Sequence, residues 1–246
     1  MFFVQVNGLF KRTSFFIKGE SAMKIVAING SGTGAKGATG QALEGFLEGV
    51  RESGAEVELF LLNELKITPC TGCGTCKRTG QCVFKDDYPK IKDAMLGADG
   101  VVFSSPNYIS NVSSQIKSLL DRSFCFLFHC QAMKGKYGAV VIASGGPQYQ
   151  TVEDYLMHVT GSMGCWRVGS IVSATAQMDD PDERAIVMGE AQALGRCLVK
   201  AVKTKQAFPD QEKEREMTFE VMRWLVESTK DEVPFEYDYW QKHLIK

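Results

Sequence analysis

Five short apolar runs, separated by stretches of helical spacing, constrain this chain more than any other feature. They are Met23–Asn29 (MKIVAIN), Val57–Leu62 (VELFLL), Val101–Ser105 (VVFSS), Tyr137–Ala143 (YGAVVIA) and Arg167–Val172. Strands this apolar are expected where helices cover both faces of a parallel sheet. Between the first two runs, Ala42, Leu43, Phe46, Leu47 and Val50 recur on one helical face within Thr39–Ser53, and Gly54 ends the helix. Asp86 or Asp87 can cap a helix through Leu96, with Pro89 in its first turn. Val112–Phe128, Thr151–Met163 and Pro181–Lys203 complete the helical set. The alternation predicts a doubly wound α/β domain of three layers with a five-stranded parallel sheet. Ligands of such sheets sit beyond the carboxyl ends of the strands. The loops after the first, third and fourth strands are therefore expected to carry the chemistry.

The chain has 246 residues, 44% hydrophobic and 23% charged, with a net charge of −1. A domain of this size buries roughly three quarters of its unfolded surface, so bulk stability requires no metal or disulfide. The charge balance supports neither nucleic-acid binding nor a membrane-surface role. No apolar run is long enough to span a bilayer. Residues 1–22 read as an extension: Lys11, Arg12 and Lys18 interrupt the apolar patches that a signal peptide would keep together. A cytoplasmic protein with reduced cysteines is expected. The fold is expected over residues 23–205. Residues 206–246 form an appendage, a charged helix followed by the aromatic tail PFEYDYW. Tyr237, Tyr239 and Trp240 are expected to anchor it on another subunit, since aromatics are enriched at interfaces.

The first loop runs from Gly30 to Thr39 (GSGTGAKGAT). Gly32, Gly34 and Gly37 satisfy a dinucleotide fingerprint as a string, but the loop is long and only Asn63 and Glu64 stand where an acidic ribose ligand belongs. It also approaches a P-loop, with Ala38 in place of the lysine that reaches terminal phosphates. What remains is a loop that ends at a helix N-terminus, suited to one phosphate. Ser31, Thr33 and Thr39 supply hydroxyls, Lys36 supplies charge, and Gly37 permits close backbone approach. A glycine loop without a ligand is the alternative. The third-strand loop holds Pro106, Asn107, Tyr108, Ile109, Ser110 and Asn111, where the tyrosine ring and backbone groups suit a flat heterocycle. Ser144, Gly145 and Gly146 follow the fourth strand. Three such loops on one sheet edge point to a mononucleotide with a flat ring.

Half of the eight cysteines fall in the segment CTGCGTCKRTGQC, as Cys70-x2-Cys73-x2-Cys76-x5-Cys82. Iron–sulfur sites place thiolates at x2 spacing, and Gly72 and Gly74 relieve the backbone between them. A structural zinc more often takes two separated pairs, and a redox disulfide leaves Cys76 and Cys82 without a role. A [4Fe–4S] cluster, zinc, thiol redox chemistry and a metal-free loop all stay open. Cys125, Cys130, Cys165 and Cys197 read as buried thiols. His129, His158 and His243 show no metal spacing and no partner. Asp121 and Arg122 read as a local ion pair, and Asp210–Glu216 as a solvated helix face.

Four stretches together, NGSGTGAKGAT, CTGCGTCKRTGQCVFKDD, SSPNYISNVSSQIKSLLDR and ASGG, resemble the NADPH-dependent FMN reductase family of flavodoxin-like proteins. The compact four-cysteine pattern resembles its iron–sulfur flavoprotein branch. The resemblance is close over Met23–Arg122 and looser over Tyr137–Lys203. It implies the strand order 2-1-3-4-5. It implies FMN phosphate at Ser31–Thr39, the isoalloxazine along Pro106–Val112, and ring contacts from Ser144–Gly146. Gly32, Thr33 and Ala38 stand where family members often carry Pro, Arg and Asn. The implied activity is electron transfer by FMN and a [4Fe–4S] cluster on Cys70, Cys73, Cys76 and Cys82. The donor is expected to be NAD(P)H or a ferredoxin-type protein, and no catalytic side chain is expected. A homodimer or homotetramer is implied, with a neighbouring subunit's flavin beside the cluster. Two other readings stand beside this one. One is a cluster-free NAD(P)H-dependent FMN or quinone reductase, the other a zinc-bearing binding protein without enzymatic activity on the same fold.

Overall fold

The computed structural model describes residues 22–245, so all but the last residue of the expected 1–22 extension lies outside the described residues. The five apolar runs become β1 (Lys24–Asn29), β2 (Glu56–Leu61), β3 (Gly100–Pro106), β4 (Tyr137–Ser144) and β5 (Trp166–Ala174). They form one parallel sheet in the order β2-β1-β3-β4-β5. This is the flavodoxin-like order. Strands β3 and β4 are buried along their whole length, whereas the edge strand β2 is half-exposed.

Each face of the sheet is closed by helices. On one side Phe46 and Leu47 of α1 (Ala38–Glu52) and Leu198 of α7 (Pro181–Thr204) pack on Ile25, Val102 and Val141. On the other, Ile91 of α3 (Tyr88–Gly97), Ile116 of α4 (Ser114–Arg122) and Leu156 of α5 (Gln150–Ser162) pack on Val26, Phe103 and Val140. Helices α1 and α7 approach closely enough to require glycine. A Cβ on Gly49 would lie 2.0 Å from the Gln192 carbonyl oxygen, and one on Gly195 would lie 2.1 Å from that of Phe46.

Several local expectations change. The single helix expected over Val112–Phe128 is α4 followed by a π-helical turn, Phe124–His129. Ser113 caps α4 by accepting the Ile116 N–H at 3.3 Å, which sets its start past Val112. Two short helices, α2 (Thr75–Thr79) within the cysteine segment and α6 (Thr175–Asp179), carry too few residues to show an apolar period. Cys125, Cys130 and Cys165 are buried as expected, but Cys197 is exposed on the outer side of α7.

The appendage is two helices, α8 (Pro209–Ser228) and α9 (Pro234–His243), and both pack on their own chain. Trp240 is 1% exposed, and its indole N–H donates to the His129 carbonyl at 2.7 Å. Tyr239 packs with Cys125, Phe126 and Cys130, and Tyr237 packs against the Val226–Val233–Trp240 cluster. Trp240 therefore has no ring surface left for a second subunit, which corrects its expected part as an interface anchor. Nor is Asp210–Glu216 wholly solvated. The Gln211 side chain accepts the Arg167 N–H at 2.9 Å and donates to its carbonyl at 2.8 Å, and Glu214 pairs with the Arg167 guanidinium at 2.5 Å. The two Gln211 bonds satisfy the free edge of β5 at Arg167 with a side chain. Among the described residues no helix is long and apolar enough to cross a membrane.

The α1–α7 contact yields a direct test. Gly49→Ala is expected to destabilise the fold by about 1–3 kcal/mol, the usual cost of overpacking. Gly97→Ala, at an open site on α3, is expected to be neutral or stabilising by up to about 1 kcal/mol. Urea denaturation of the two variants against the parent chain measures the difference.

Candidate functional site

Strand register brings the predicted loops together. Asn29 pairs with Ser104 and Pro106 pairs with Ala143, so β1, β3 and β4 end side by side. Their continuations are bonded to each other: the Gly30 N–H donates to the Ser104 carbonyl and the Asn107 N–H to the Ala143 carbonyl, both at 2.8 Å.

The first loop is held in shape from within. Buried Asn29 accepts the Ser31 N–H at 2.8 Å and donates to the Gly34 carbonyl at 3.2 Å. The Ser31 and Thr33 hydroxyls are 3.0 Å apart. Gly34 has φ +61°, the left-handed region that glycine enters without strain. Gly37 is the N-cap of α1 and provides no side-chain cap, and the first turn of α1 contains no acidic residue. The amino end of this helix thus keeps its positive end clear of protein anions. Thr39 is buried, whereas Lys36 is exposed and Ala38 half-buried.

In the second loop, Tyr108 and Asn111 exchange backbone hydrogen bonds of 2.9 and 3.1 Å around a tight turn. Its two central residues, Ile109 (φ 52°) and Ser110 (φ 55°), are both left-handed. A β-branched residue in that region is strained. Ile109 is fully exposed there, and Tyr108 is 53% exposed. Asn107 ties this loop to the next by donating to the Ser144 hydroxyl at 3.0 Å and to the Gln148 carbonyl at 2.9 Å. Its Oδ1 is buried without a partner. Ser144 in turn donates to the Gly146 carbonyl at 2.6 Å. Gly145 and Gly146 are exposed. Ser144, Gly145, Gly146 and Tyr149 wall a cavity of about 440 Å³ against Val172–Gln177.

The cysteine segment makes a second site. Cys70, Cys73, Cys76 and Cys82 all line one cavity of about 160 Å³, with Phe84, Arg122 and Phe124 among its other walls. Gly72, Gly74 and Gly80 all have φ between +67° and +73°, and this lets the short loop fold back on itself. Among the described residues no three His, Cys, Asp or Glu side chains converge tightly enough to clasp a single metal ion. The four thiols stand instead around the cavity. They differ in character. The exposed Cys73 thiol is pulled below its usual pKa by the Thr75 backbone N–H and then by the Thr75 hydroxyl. Cys76 is raised by its contact with the Cys125 thiol and then by burial. Four thiols on one wall, beside a buried N–H donor that lacks an acceptor, fit an anionic sulfur-rich group.

That donor belongs to Arg122, which corrects the expected local pair with Asp121. Arg122 donates to both oxygens of Asp86, at 2.7 and 3.1 Å, and to the Thr68 carbonyl at 2.8 Å. Asp121 pairs with Lys117 instead. Asp86 also accepts the Thr68 N–H at 2.8 Å, so the pair pins the start of the cysteine segment. Burial opposes the Asp86 charge, but Arg122 and the backbone amides of Thr68 and Tyr88 outweigh it and hold its carboxyl at about 2. His129 also has a partner, the fully buried Glu236, at 2.8 Å. Neither pair left a signal in the sequence, because the partners lie 36 and 107 residues apart. Asn29, at the end of β1, was likewise hidden, and Asn63, read only against the dinucleotide pattern, lies beside Gly34 instead.

Comparison with known proteins gives the family of the chain. Residues 23–179 match the NADPH-dependent FMN reductase family. The chain is 30% identical over 224 residues to an iron–sulfur flavoprotein of Archaeoglobus fulgidus, an alignment that covers 89% of this chain and 98% of that protein. It is 34% identical over 145 residues to the iron–sulfur flavoprotein of Methanosarcina thermophila, covering 56% of this chain and 75% of that one. Among solved structures, a flavone reductase superposes with a TM-score of 0.60 at 23% identity, over 74% of this chain and 63% of that one. The chain therefore spans less than two thirds of that reductase, and the likeness concerns the fold alone.

The Asp86–Arg122 pair predicts a pH dependence. The folded pKa of Asp86, about 2, lies below its ordinary 3.8, so its contribution is complete above the ordinary value and is lost as pH falls through about 2. Asp86→Asn is expected to cost about 3–5 kcal/mol at neutral pH by leaving Arg122 buried and unpaired. It should also flatten the loss of stability over that acid window. Thermal melts of both proteins across the acid range test the two effects together.

Proposed function

The chain belongs to the NADPH-dependent FMN reductase family, and from that premise we propose an FMN-dependent electron-transfer oxidoreductase that also carries a [4Fe–4S] cluster. When bound, FMN supplies both hydride and single-electron chemistry and the cluster supplies single-electron exchange, so a protein holding both joins the two kinds of carrier. The observation that carries the reading is the pairing of two unlike sites. Three polar loops meet at the carboxyl edge of the sheet, and four thiols line one cavity on the segment that leaves β2.

The chain's own residues divide the work. The uncapped amino end of α1, with Ser31, Thr33, Gly37 and Thr39 around it, receives the phosphate. Lys36 adds charge at the rim, and Ala38 leaves its backbone open to the ligand. Pro106, Asn107, Tyr108, Ile109, Ser110 and Asn111 provide the wall for the flavin ring. The unpartnered Asn107 Oδ1 is an acceptor placed for a ring N–H, and Ser144, Gly145 and Gly146 bring backbone groups to the same side. Cys70, Cys73, Cys76 and Cys82 hold the cluster, and the Thr75 backbone N–H favours the Cys73 thiolate. Cys76 leaves its contact with Cys125 to do so. The electron donor is NAD(P)H or a ferredoxin-type protein, and the working assembly is a homodimer or homotetramer.

Two measurements test the two sites separately. A Cβ at Gly37 would lie 2.1 Å from the Thr33 hydroxyl, so Gly37→Glu both crowds the loop and repels phosphate. It is expected to weaken FMN binding at least about 100-fold, roughly 3 kcal/mol, as read by flavin fluorescence quenching. Unchanged affinity would remove the phosphate from this loop. Anaerobic reconstitution with iron and sulfide is expected to load about four irons per wild-type chain, fewer in Cys73→Ser, with FMN binding spared. Wild-type protein that binds FMN but takes up no iron would make it a cluster-free reductase. Tight zinc on all four thiolates would make the loop structural.

A further inference from the structure

We propose that Arg122 is a positioning residue for the cluster: its Nε–H donates a hydrogen bond into the cysteine cavity and raises the reduction potential of the cluster held there. The inference rests on the cluster reading above and goes beyond it by assigning a role to a side chain outside the four thiols.

Arg122 is 4% exposed and sits at the carboxyl end of α4, on the wall of the cavity that the cysteines line. Its two terminal nitrogens are occupied, by both oxygens of Asp86 and by the Thr68 carbonyl. Rings on Phe84 and Tyr88 hold the guanidinium plane, with centroids 5.1 and 4.8 Å away. The group is thus fixed on every side but one. Nε is buried and has no acceptor. Leaving such a donor unmade costs about 1–3 kcal/mol, more for a charged group. Cys82 lines the same cavity wall region as this guanidinium.

A reduced cluster is more negative than an oxidised one. A hydrogen bond to its sulfurs and a fixed positive charge beside it both favour the reduced form, and such bonds are among the determinants of cluster potential. Asp86 neutralises part of that charge at long range, but it cannot supply the missing acceptor. The Nε–H, one of two guanidinium N–H groups left without an acceptor, therefore acts locally, on whatever sulfur occupies the cavity. Arg78 is the other arginine near the thiols, but it is exposed and donates to the Cys73 carbonyl at 3.4 Å.

The test uses full-length protein grown on side-chain 15N-labelled arginine, reconstituted with iron and sulfide and reduced with dithionite. Pulsed EPR on the reduced cluster is expected to show 15N coupling from one arginine. The coupling should survive Arg78→Lys and disappear in Arg122→Lys, which keeps the charge but has no Nε–H. The midpoint potential is expected to shift downward in Arg122→Gln, measured by EPR-monitored titration. A loaded wild-type cluster without arginine coupling, or coupling that persists in Arg122→Lys, overturns the inference while the cluster reading stands. Absence of iron and sulfide after reconstitution overturns both. The labelled wild-type measurement needs no substitution, so a variant that fails to fold does not decide the outcome.

Discussion

Everything at the carboxyl edge depends on the parallel ladder between β1 and β3. Because these neighbours run in the same direction, the chain must return to the opposite end of the sheet between them, and it does so through α1, β2 and α3. Each departure from the sheet then falls on the same edge. Asn29, Pro106 and Ser144 end three neighbouring strands within a few residues of the same level, and this alone makes neighbours of loops that are about 70 and 40 residues apart in sequence. The strands are held by apolar burial on both faces, so the polar residues that a ligand needs are confined to the strand ends and the loops beyond them.

The cysteine segment is a different kind of structure. It leaves the edge strand β2, contains only the one-turn helix α2, and has no apolar core of its own. Its order comes from outside. Asp86 and Arg122 fasten its two ends to α4, and the appendage closes its back: Phe235 lies edge-on to Phe126 at 5.6 Å, and a Cβ on Gly80 would lie 2.4 Å from the Phe235 ring. The His129–Glu236 pair and the Trp240 indole bond tie α9 to the π-helical turn that carries Cys125. An appendage that looks superfluous to a five-stranded core is therefore part of the wall behind the thiols.

The sheet and the three loops were legible because each rests on a local signal, whereas the strand order came only from the family resemblance. Apolar runs of strand length mark β1 to β5, and glycine or hydroxyl clusters mark the loops that follow. The cysteine spacing was legible for the same reason. What stayed hidden is long-range pairing. Asp86 read as a helix cap, and its carboxylate does accept the Tyr88 N–H at 3.3 Å, but nothing local reveals that Arg122 and Thr68 share it. Trp240 read as an interface residue because nothing in the tail reveals that its N–H meets the His129 carbonyl. Ile109, fully exposed and left-handed, carries a backbone strain that no β-branched residue advertises in sequence.

The position of the Asp86–Arg122 pair also follows from energetics. A buried ion pair is a weak source of stability, because desolvation offsets most of the attraction and an apolar pair of similar volume often does as well. Ile116, Leu119 and Leu120 of the same helix face the core with no such penalty. An ion pair at the next turn is better explained by what it specifies than by what it stabilises. It fixes one orientation of the chain between Thr68 and Asp86, where three left-handed glycines would otherwise permit many. Since ligation free energy is folding free energy for a loop without a core, a loop already fixed at both ends has less disorder to lose when its thiolates are engaged. The pair thus moves the ordering of the thiol cavity from the moment of ligand binding to the folding of the sheet.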